Sequence, residues 1–414
     1  MRTHQSFAPG FLFFALLTMA AVPVVSASDP NLNAISPFGL QRGTEVELVF
    51  QGARLGDAQQ LLLYRQGVTV KKIEKVDANR IKATLAATPD CPIGFHGVRV
   101  RTATGLSNLK TFSVGALPEV QEKEPNNDFA APQVVPLGCT VNGVIQNEDE
   151  DFFIVEAKKG QRISAEVEGV RLGNTTFFDP YVAILNTERF ELARSDDAAL
   201  LRQDCLCAIV APEDGKYVIQ IRESSYGGNG NCKYRLHIGP YPRPLAVFPA
   251  GGKPGQPLKV KWIGDVTGDS ESQVVLPTDG GPNYGLLAED ETGIAPSPNM
   301  VRINDLENVI EAEPNDTRDK STVTPAPGAL NGIIDRPGDV DYYKFTAKKG
   351  QVFDVRVHAR KPLRSPLDSV LSILRANGSG VASNDDSGGP DSYVRFTAPE
   401  DGDYHVLVRD HLSD

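Results

Sequence analysis

The chain has 414 residues, with 42 Lys+Arg against 53 Asp+Glu and a formal net charge of −11. At about 100–150 residues per domain this length calls for three or four domains rather than one core. The acidic balance excludes a nucleic-acid partner, which needs clustered cations to displace phosphate counterions. Its 38 glycines and 30 prolines are spread between alternating apolar runs, which points to many short strands and turns and excludes a helical bundle or a collagen-like repeat.

Residues 1–27 read as a secretory signal peptide: Arg2 and His4, then the apolar run 11–25, then the small residues Ser26 and Ala27. The run is short of the ~20 residues that cross a bilayer, and no later stretch spans a membrane. The expected location is extracytoplasmic: secreted, periplasmic or on the cell surface.

The rest of the chain repeats itself. EKEPNND (122–128) matches EAEPNDT (311–317), and 142–161 matches 331–351 with one inserted residue. DPYVAIL from Asp179 matches DSVLSIL from Asp368, and APEDGKYVIQIRE (211–223) matches APEDGDYHVLVRD (398–410). The offset stays between 187 and 190, which marks a duplication. The preceding segments correspond too, with Pro37, Gly39, Gly43 and Gly52 falling on Pro249, Gly251, Gly255 and Gly264.

Strands follow from period-2 alternation. Val46, Leu48 and Phe50 alternate with Glu45 and Glu47; Leu258, Val260 and Trp262 alternate with Lys259 and Lys261. Ile163, Ala165 and Val167 alternate with Arg162, Ser164 and Glu166, and Phe353, Val355 and Val357 with Asp354, Arg356 and His358. Each such strand is expected to turn one face to a core and the other to water. The AKKGQ and PEDG segments supply turns. No segment holds a helical period for 12 residues, so the fold class is all-β, a row of tandem β-sandwiches. The expected units are 31–118, 119–240, 241–309 and 310–414. The last lacks a counterpart to CKYRLHIG (232–239), so the chain is expected to be the N-terminal piece of a longer protein.

Five cysteines occur, Cys91, Cys139, Cys205, Cys207 and Cys232. Cys139, Cys205 and Cys207 align with Gly328, Ser392 and Val394, so the fold does not require a disulfide. Cys207 is read as a buried free thiol, with a bridge involving Cys232 as the alternative.

The acidic segments are the candidate site. Pro125 biases Glu124 toward extended backbone. Residues i and i+2 of an extended segment point the same way, about 6.5–7 Å apart, so Glu122 and Glu124 can flank one cation. Asn126 and Asn127 add oxygens, and Asp149 and Asp151 form a second i, i+2 pair. The second copy repeats this with Glu311, Glu313, Asn315, Asp316, Asp339 and Asp341. An all-oxygen set suits Ca²⁺, whereas Zn²⁺ would require His or Cys. A solvated acidic linker with an Asx-type turn is the alternative.

The paired ExEPN segments, the DxDxYxF-type strand entries and the late DG-Y turn resemble the bacterial pre-peptidase C-terminal domain family. The likeness covers 122–240 and 311–414. It implies jelly-roll-like β-sandwiches of secreted proteins that bind structural Ca²⁺ through the residues just named. In the first copy Phe152 and Phe153 replace the Tyr pair and Asn127 replaces Asp316, which predicts a weaker site. The P-x-G-x-x-x-G openings resemble IPT/TIG-type immunoglobulin-like domains.

The expected function is a secreted or cell-surface binding or adhesion protein whose junctions are rigidified by calcium, with no catalysis within these residues. The alternative is the accessory region of a secreted peptidase or other hydrolase whose catalytic domain lies beyond residue 414. Partners are correspondingly an extracellular polymer, polysaccharide or matrix protein, or that catalytic domain. Tyr226, Tyr284 and Tyr342 are read as neutral surface tyrosines, with stacking on such a polymer as the alternative. No GxSxG, HExxH or P-loop occurs. His358 and His405 are read as solvated, and Asp196–Asp197 and Asp385–Asp386 as loop or metal-related residues. The N-x-S/T triplets at Asn174, Asn315 and Asn377 are attributed to chance.

Overall fold

A computed structural model describes Met1, residues 28–173 and residues 177–412. The signal-peptide segment after Met1 and the triplet at Asn174 lie outside the described residues. The longest helix among those described is the four-residue Arg360–Leu363, and no helix is long and apolar enough to cross a membrane. The chain is all-β.

Among the described residues, four of the five buried apolar clusters follow one another along the chain; the fifth, Phe152, Ala183, Leu185 and Val218, falls within the span of the second. The first, from Leu32 to Val114, lies between two four-stranded sheets. The strand Glu45–Ala53 buries Leu48 and Phe50 and exposes Glu45 and Glu47, as its alternation predicts. The second, from Val135 to Ile238, lies between two five-stranded sheets. The third is smaller and centres on Val260, Trp262 and Val301; the fourth centres on Phe345, Leu371 and Phe396. Gly160 and Gly350 close the AKKGQ turns at φ +81° and +84°, a region that favours glycine.

The second and fourth cores share one plan. Glu150–Ala157, Gly215–Glu223 and Pro180–Leu185 lie side by side, and so do Val340–Ala347, Gly402–Asp410 and Ser369–Arg375. The facing sheets differ. Around the second core, Lys233–Gly239 pairs antiparallel with both Cys139–Val144 and Arg162–Glu168. Around the fourth, Ala329–Asn331 pairs with Asn308–Ile310 and Val352–Arg356 with Tyr393–Thr397, and no strand among the described residues joins these two pairs.

One expectation is corrected. The polar face of Arg162–Glu168 does not meet water: all seven residues of this strand are buried. Neighbouring units cover that face. Glu166 accepts hydrogen bonds from Arg243, Arg171 and Ser297. Glu168 accepts from Arg235 (2.8 Å) and from Ser113 of the first unit (3.1 Å), while Arg235 also donates to Glu119 (2.6 Å). Arg162 reaches Asp265 (3.1 Å) and Asp290 (3.0 Å). Period-2 alternation reports two environments per strand, and at this strand the second environment is a domain junction.

His405 is a second correction. It is 4% exposed, with its Nδ1 2.9 Å from Ser321 Oγ, and burial lowers its pKa. His358 is half-buried. All five cysteines are buried free thiols. This matches the reading of Cys207 and removes the bridge through Cys232. Burial pushes the Cys139 and Cys207 thiols up to about 12.

Candidate metal centres

Each acidic segment leaves a short strand and folds back over the entry of a central one. Glu119–Gln121 runs parallel to Cys139–Val144, and Asn308–Ile310 runs parallel to Ala329–Asn331. The returning loop is tied down by backbone bonds: Phe152 N–H donates to Asn126 O (3.0 Å) and Tyr342 N–H to Asn315 O (3.1 Å). Backbone amides also aim the carboxylates. Asn126 N–H donates to Glu124 Oε2 (3.0 Å), Val144 N–H to Glu122 Oε2 (3.0 Å) and Gln146 N–H to Asp149 Oδ2 (3.0 Å). Their counterparts are Asn315 to Glu313 (2.9 Å), Ile333 to Glu311 (2.7 Å) and Asp335 to Asp339 (2.9 Å).

The first cluster brings Glu124, Asp149 and Asp151 together, with one oxygen from each within 4.8 Å of the others. The second does the same with Glu311, Glu313 and Asp341. Glu122 and Glu124 therefore do not both join the first trio, whereas Glu311 and Glu313 both join the second. The buried Asn126 amide ends over Asp151 and Glu124. Turned one way, its nitrogen donates to Asp151 Oδ1 (3.2 Å) and Glu124 Oε2 (2.7 Å); turned the other, its oxygen becomes a fourth oxygen facing the same point. Asn127 lies outside the trio and donates to Asp149 Oδ1 (2.7 Å).

In the second cluster both polar atoms of the fully buried Asn315 side chain lack a partner, as does Asp341 Oδ1. Orphaned buried oxygens beside converging carboxylates are the donor chemistry that a hard cation completes. Asp316 and Asp339 are engaged elsewhere: Arg336 pairs with Asp316 (2.7 Å), Asp335 (2.8 Å) and Asp339 (3.4 Å).

The electrostatics are those of crowded, desolvated anions. Burial, then the hydrogen bond and charge of Glu122, push Asp151 up to about 10. Burial, then the charges of Glu311 and Asp339, push Asp341 up to about 8. Glu124 is also raised, first by burial and then by Asp149 and Glu122.

Three participants escape sequence reasoning. Tyr234 reaches the first cluster from a strand 83 residues beyond Asp151 and 112 beyond Glu122, with its hydroxyl 2.6 Å from Glu122 and 2.7 Å from Asp151. Tyr343, from the central strand, approaches Glu311 in the second (3.5 Å). Arg336 is the third; a lone cation inside an acidic loop is the signal that could have found it. The three tyrosines singled out from the sequence differ in exposure, and Tyr226 is the exposed one. Tyr284 and Tyr342 are half-buried, and Tyr226 packs on the Arg222 guanidinium (4.3 Å).

Comparison with known proteins gives partial likenesses. A 106-residue stretch, 25% of this chain, is 40% identical to a probable subtilase-type serine protease of Deinococcus radiodurans and spans 15% of that protein's length. Among solved structures, the pre-peptidase C-terminal domain of a Bacillus anthracis collagenase is 15% identical, covering 28% of this chain and 99% of that one, with a TM-score of 0.21. The secreted serine protease VesC of Vibrio cholerae is 9% identical, covering 49% of this chain and 47% of that one, with a TM-score of 0.18. Residues 339–410, which open on the Asp339 and Asp341 carboxylates and contain most of the fourth core, match the family model of the bacterial pre-peptidase C-terminal domain.

Proposed function

We propose that this chain is a non-catalytic, extracytoplasmic region of a secreted protein, built from two pre-peptidase-type sandwiches (119–240 and 310–414), each preceded by an IPT/TIG-like unit (31–118 and 241–309). Residues 1–27 direct its export. Each pre-peptidase-type sandwich holds one structural Ca²⁺, the first through Glu124, Asp149, Asp151 and Asn126, the second through Glu311, Glu313, Asp341 and Asn315. Glu122, Asn127, Asp316 and Asp339 shape the clusters from outside the trios. The observation that carries this reading is the paired convergence of three carboxylates beside a buried asparagine.

The role is to carry and position, either a bound polymer or a catalytic partner. The 40% identity to a probable subtilase-type protease favours service to a peptidase over free-standing adhesion. Thermal melts of residues 28–414 with Ca²⁺, with Mg²⁺ and with chelator test the cation reading. Ca²⁺ raises the transition of the wild type and does not raise that of a Glu124→Gln, Glu313→Gln variant. Equal wild-type melts in Ca²⁺ and chelator reject it. The longest reading frame carrying these residues separates the two roles: a peptidase motif in it supports the first, further sandwiches without one the second.

A further inference from the structure

The third unit follows the plan of the first with one strand fewer in each sheet. In the first unit Arg80–Ala87 lies between Glu45–Ala53 and Val68–Lys75, so its backbone is paired on both sides. Its counterpart in the third unit, Ser270–Val275, pairs with Pro257–Ile263. Among the described residues no strand lies on its other side. Leu85 of the first unit is fully buried; Val274, at the same position, is only half-buried, and Val275 is 60% exposed.

This edge lacks the devices that blunt other edges of the chain. A free strand edge is a template for a further strand, and a bulge, a proline or a lysine on it opposes that pairing. The edge strands Asn31–Ser36, Val68–Lys75, Glu191–Ser195 and Gly380–Asn384 are each broken by a register shift. Ser270–Val275 runs through six consecutive pairs without one, and it holds no proline or lysine.

The charges say which strand fits. In the first unit Glu47 and Lys82 pair across neighbouring strands (2.7 Å), and Glu74 of the covering strand stands opposite Lys82. The third unit has the same pair with the signs exchanged, Lys259 with Glu271 (2.7 Å). By the same exchange, the residue opposite Glu271 on a covering strand is a cation.

We propose that Ser270–Val275 takes up an extended, basic segment of another polypeptide as an added antiparallel strand. Every second residue of the edge offers its N–H and C=O to the incoming backbone. The segment sets apolar side chains beside Val274 and Ser272, as Val70 and Ile73 stand opposite Leu85 and Ala83 in the first unit, and a Lys or Arg opposite Glu271. A second copy of this chain is disfavoured. Antiparallel self-pairing keeps like faces together, so Glu271 meets Gln273, Val275 or a second Glu271, none of them a cation, and each copy carries a net charge of −11. The edge needs neither acidic cluster, so it stands or falls separately from the cation reading.

Fluorescence anisotropy with residues 28–414 at low salt tests it. The probes are a labelled peptide that copies residues 68–75 with Glu74→Lys, its unaltered twin and a scrambled control. The Glu74→Lys peptide binds at least about fivefold more tightly than its twin, the scale of a cross-strand charge pair, and the scrambled peptide does not bind. Against Glu271→Lys, an exposed change that leaves the melting temperature in place, the preference reverses. No binding of either copied peptide, equal binding of both, or a preference that survives Glu271→Lys overturns the proposal. Dimerisation of residues 28–414 in sedimentation velocity that excess Glu74→Lys peptide dissolves gives the edge to a second copy and overturns it as well.

Discussion

The hydroxyl of Tyr234 lies 2.7 Å from Asp151 Oδ2, inside a cluster where no solvent reaches either group, and 2.6 Å from Glu122 Oε1. A phenol has one proton to give. It donates to one carboxylate, and the other contact uses the proton that burial leaves on Asp151. Tyr234 thus holds the Glu122 carboxylate and the protonated Asp151 carboxyl together when no cation does.

Replacing Tyr234 with Phe keeps the ring and removes that donor. In chelator the loss is about 1–3 kcal/mol, the cost of a buried polar group left without its partner. In Ca²⁺ the loss is smaller, because the ion takes over the neutralising role. Urea unfolding of residues 28–414 under both conditions measures the difference. Equal losses would falsify the account of Tyr234 as a substitute for the cation.

The raised carboxyls fix a sign for the pH dependence. An unfolded Asp titrates near 4. Between there and about 8 for Asp341, or about 10 for Asp151, each of these two carboxyls holds more of its proton in the metal-free fold than in the unfolded chain, which makes its contribution to the fold depend on pH. That contribution falls as pH rises through the window. Cation binding needs the deprotonated ligands, so it releases protons and tightens with pH. Below about pH 7 His96, His358 and His405, whose pKa values burial lowers, pull stability the other way. The clean test is therefore that urea midpoints in chelator fall from pH 7 to pH 9 and that Ca²⁺ flattens the fall.

Arg336 makes the second cluster partly self-neutralised. Its guanidinium spans Asp316, Asp335 and Asp339 at an exposed position. Removing it as Arg336→Gln frees those charges to attract a cation at the neighbouring trio. The gain is about two- to fivefold in affinity, the scale of an exposed ion pair, and is larger at low salt. Terbium luminescence titration in a Glu124→Gln background reads this site alone. An unchanged affinity means that Arg336 only ties the loop together.

The sequence carries the four cores well because alternation and turn chemistry are local properties. Leu48, Phe50, Val260 and Trp262 are buried where the period-2 pattern puts them. The two acidic segments are legible for a different reason: the duplication preserves their spacing. Their detailed membership is not legible. Whether Glu122 or Asp149 completes a trio depends on which backbone N–H each oxygen accepts: Glu122 is held by Val144, 22 residues away, whereas Asp149 is held by Gln146, only 3 residues away. Tyr234 is invisible for the same reason, since its hydroxyl arrives through strand pairing. The outward residues Arg162 and Glu166 mislead because a charged face toward water and one toward an oppositely charged neighbour have the same sequence pattern.

That buried charged face bears on how the junctions are held. Glu166 is wholly buried and is met by Arg243 and by Ser297 and Arg171, whose Nη1 also reaches Ser297 Oγ (2.6 Å). Arg243 lies just after the Pro-rich 239–242 link, so the pair joins the second unit to the third. Burying such charges costs several kcal/mol per ion, and pairing repays it only while every partner is present. Arg243→Met therefore costs about 3–5 kcal/mol at this junction, because Glu166 keeps its charge and loses its closest cation. Adding Glu166→Gln recovers part of the loss, since the stranded charge is then gone. None of these groups hydrogen-bonds to either carboxylate trio, so Ca²⁺ does not rescue Arg243→Met. Scanning calorimetry shows an earlier, separate transition for the third unit, and limited proteolysis shows faster cleavage near residue 240. A single unsplit transition in Arg243→Met, or its rescue by Ca²⁺, would assign the rigidity of this junction to the ions instead of to the Glu166–Arg243 pair.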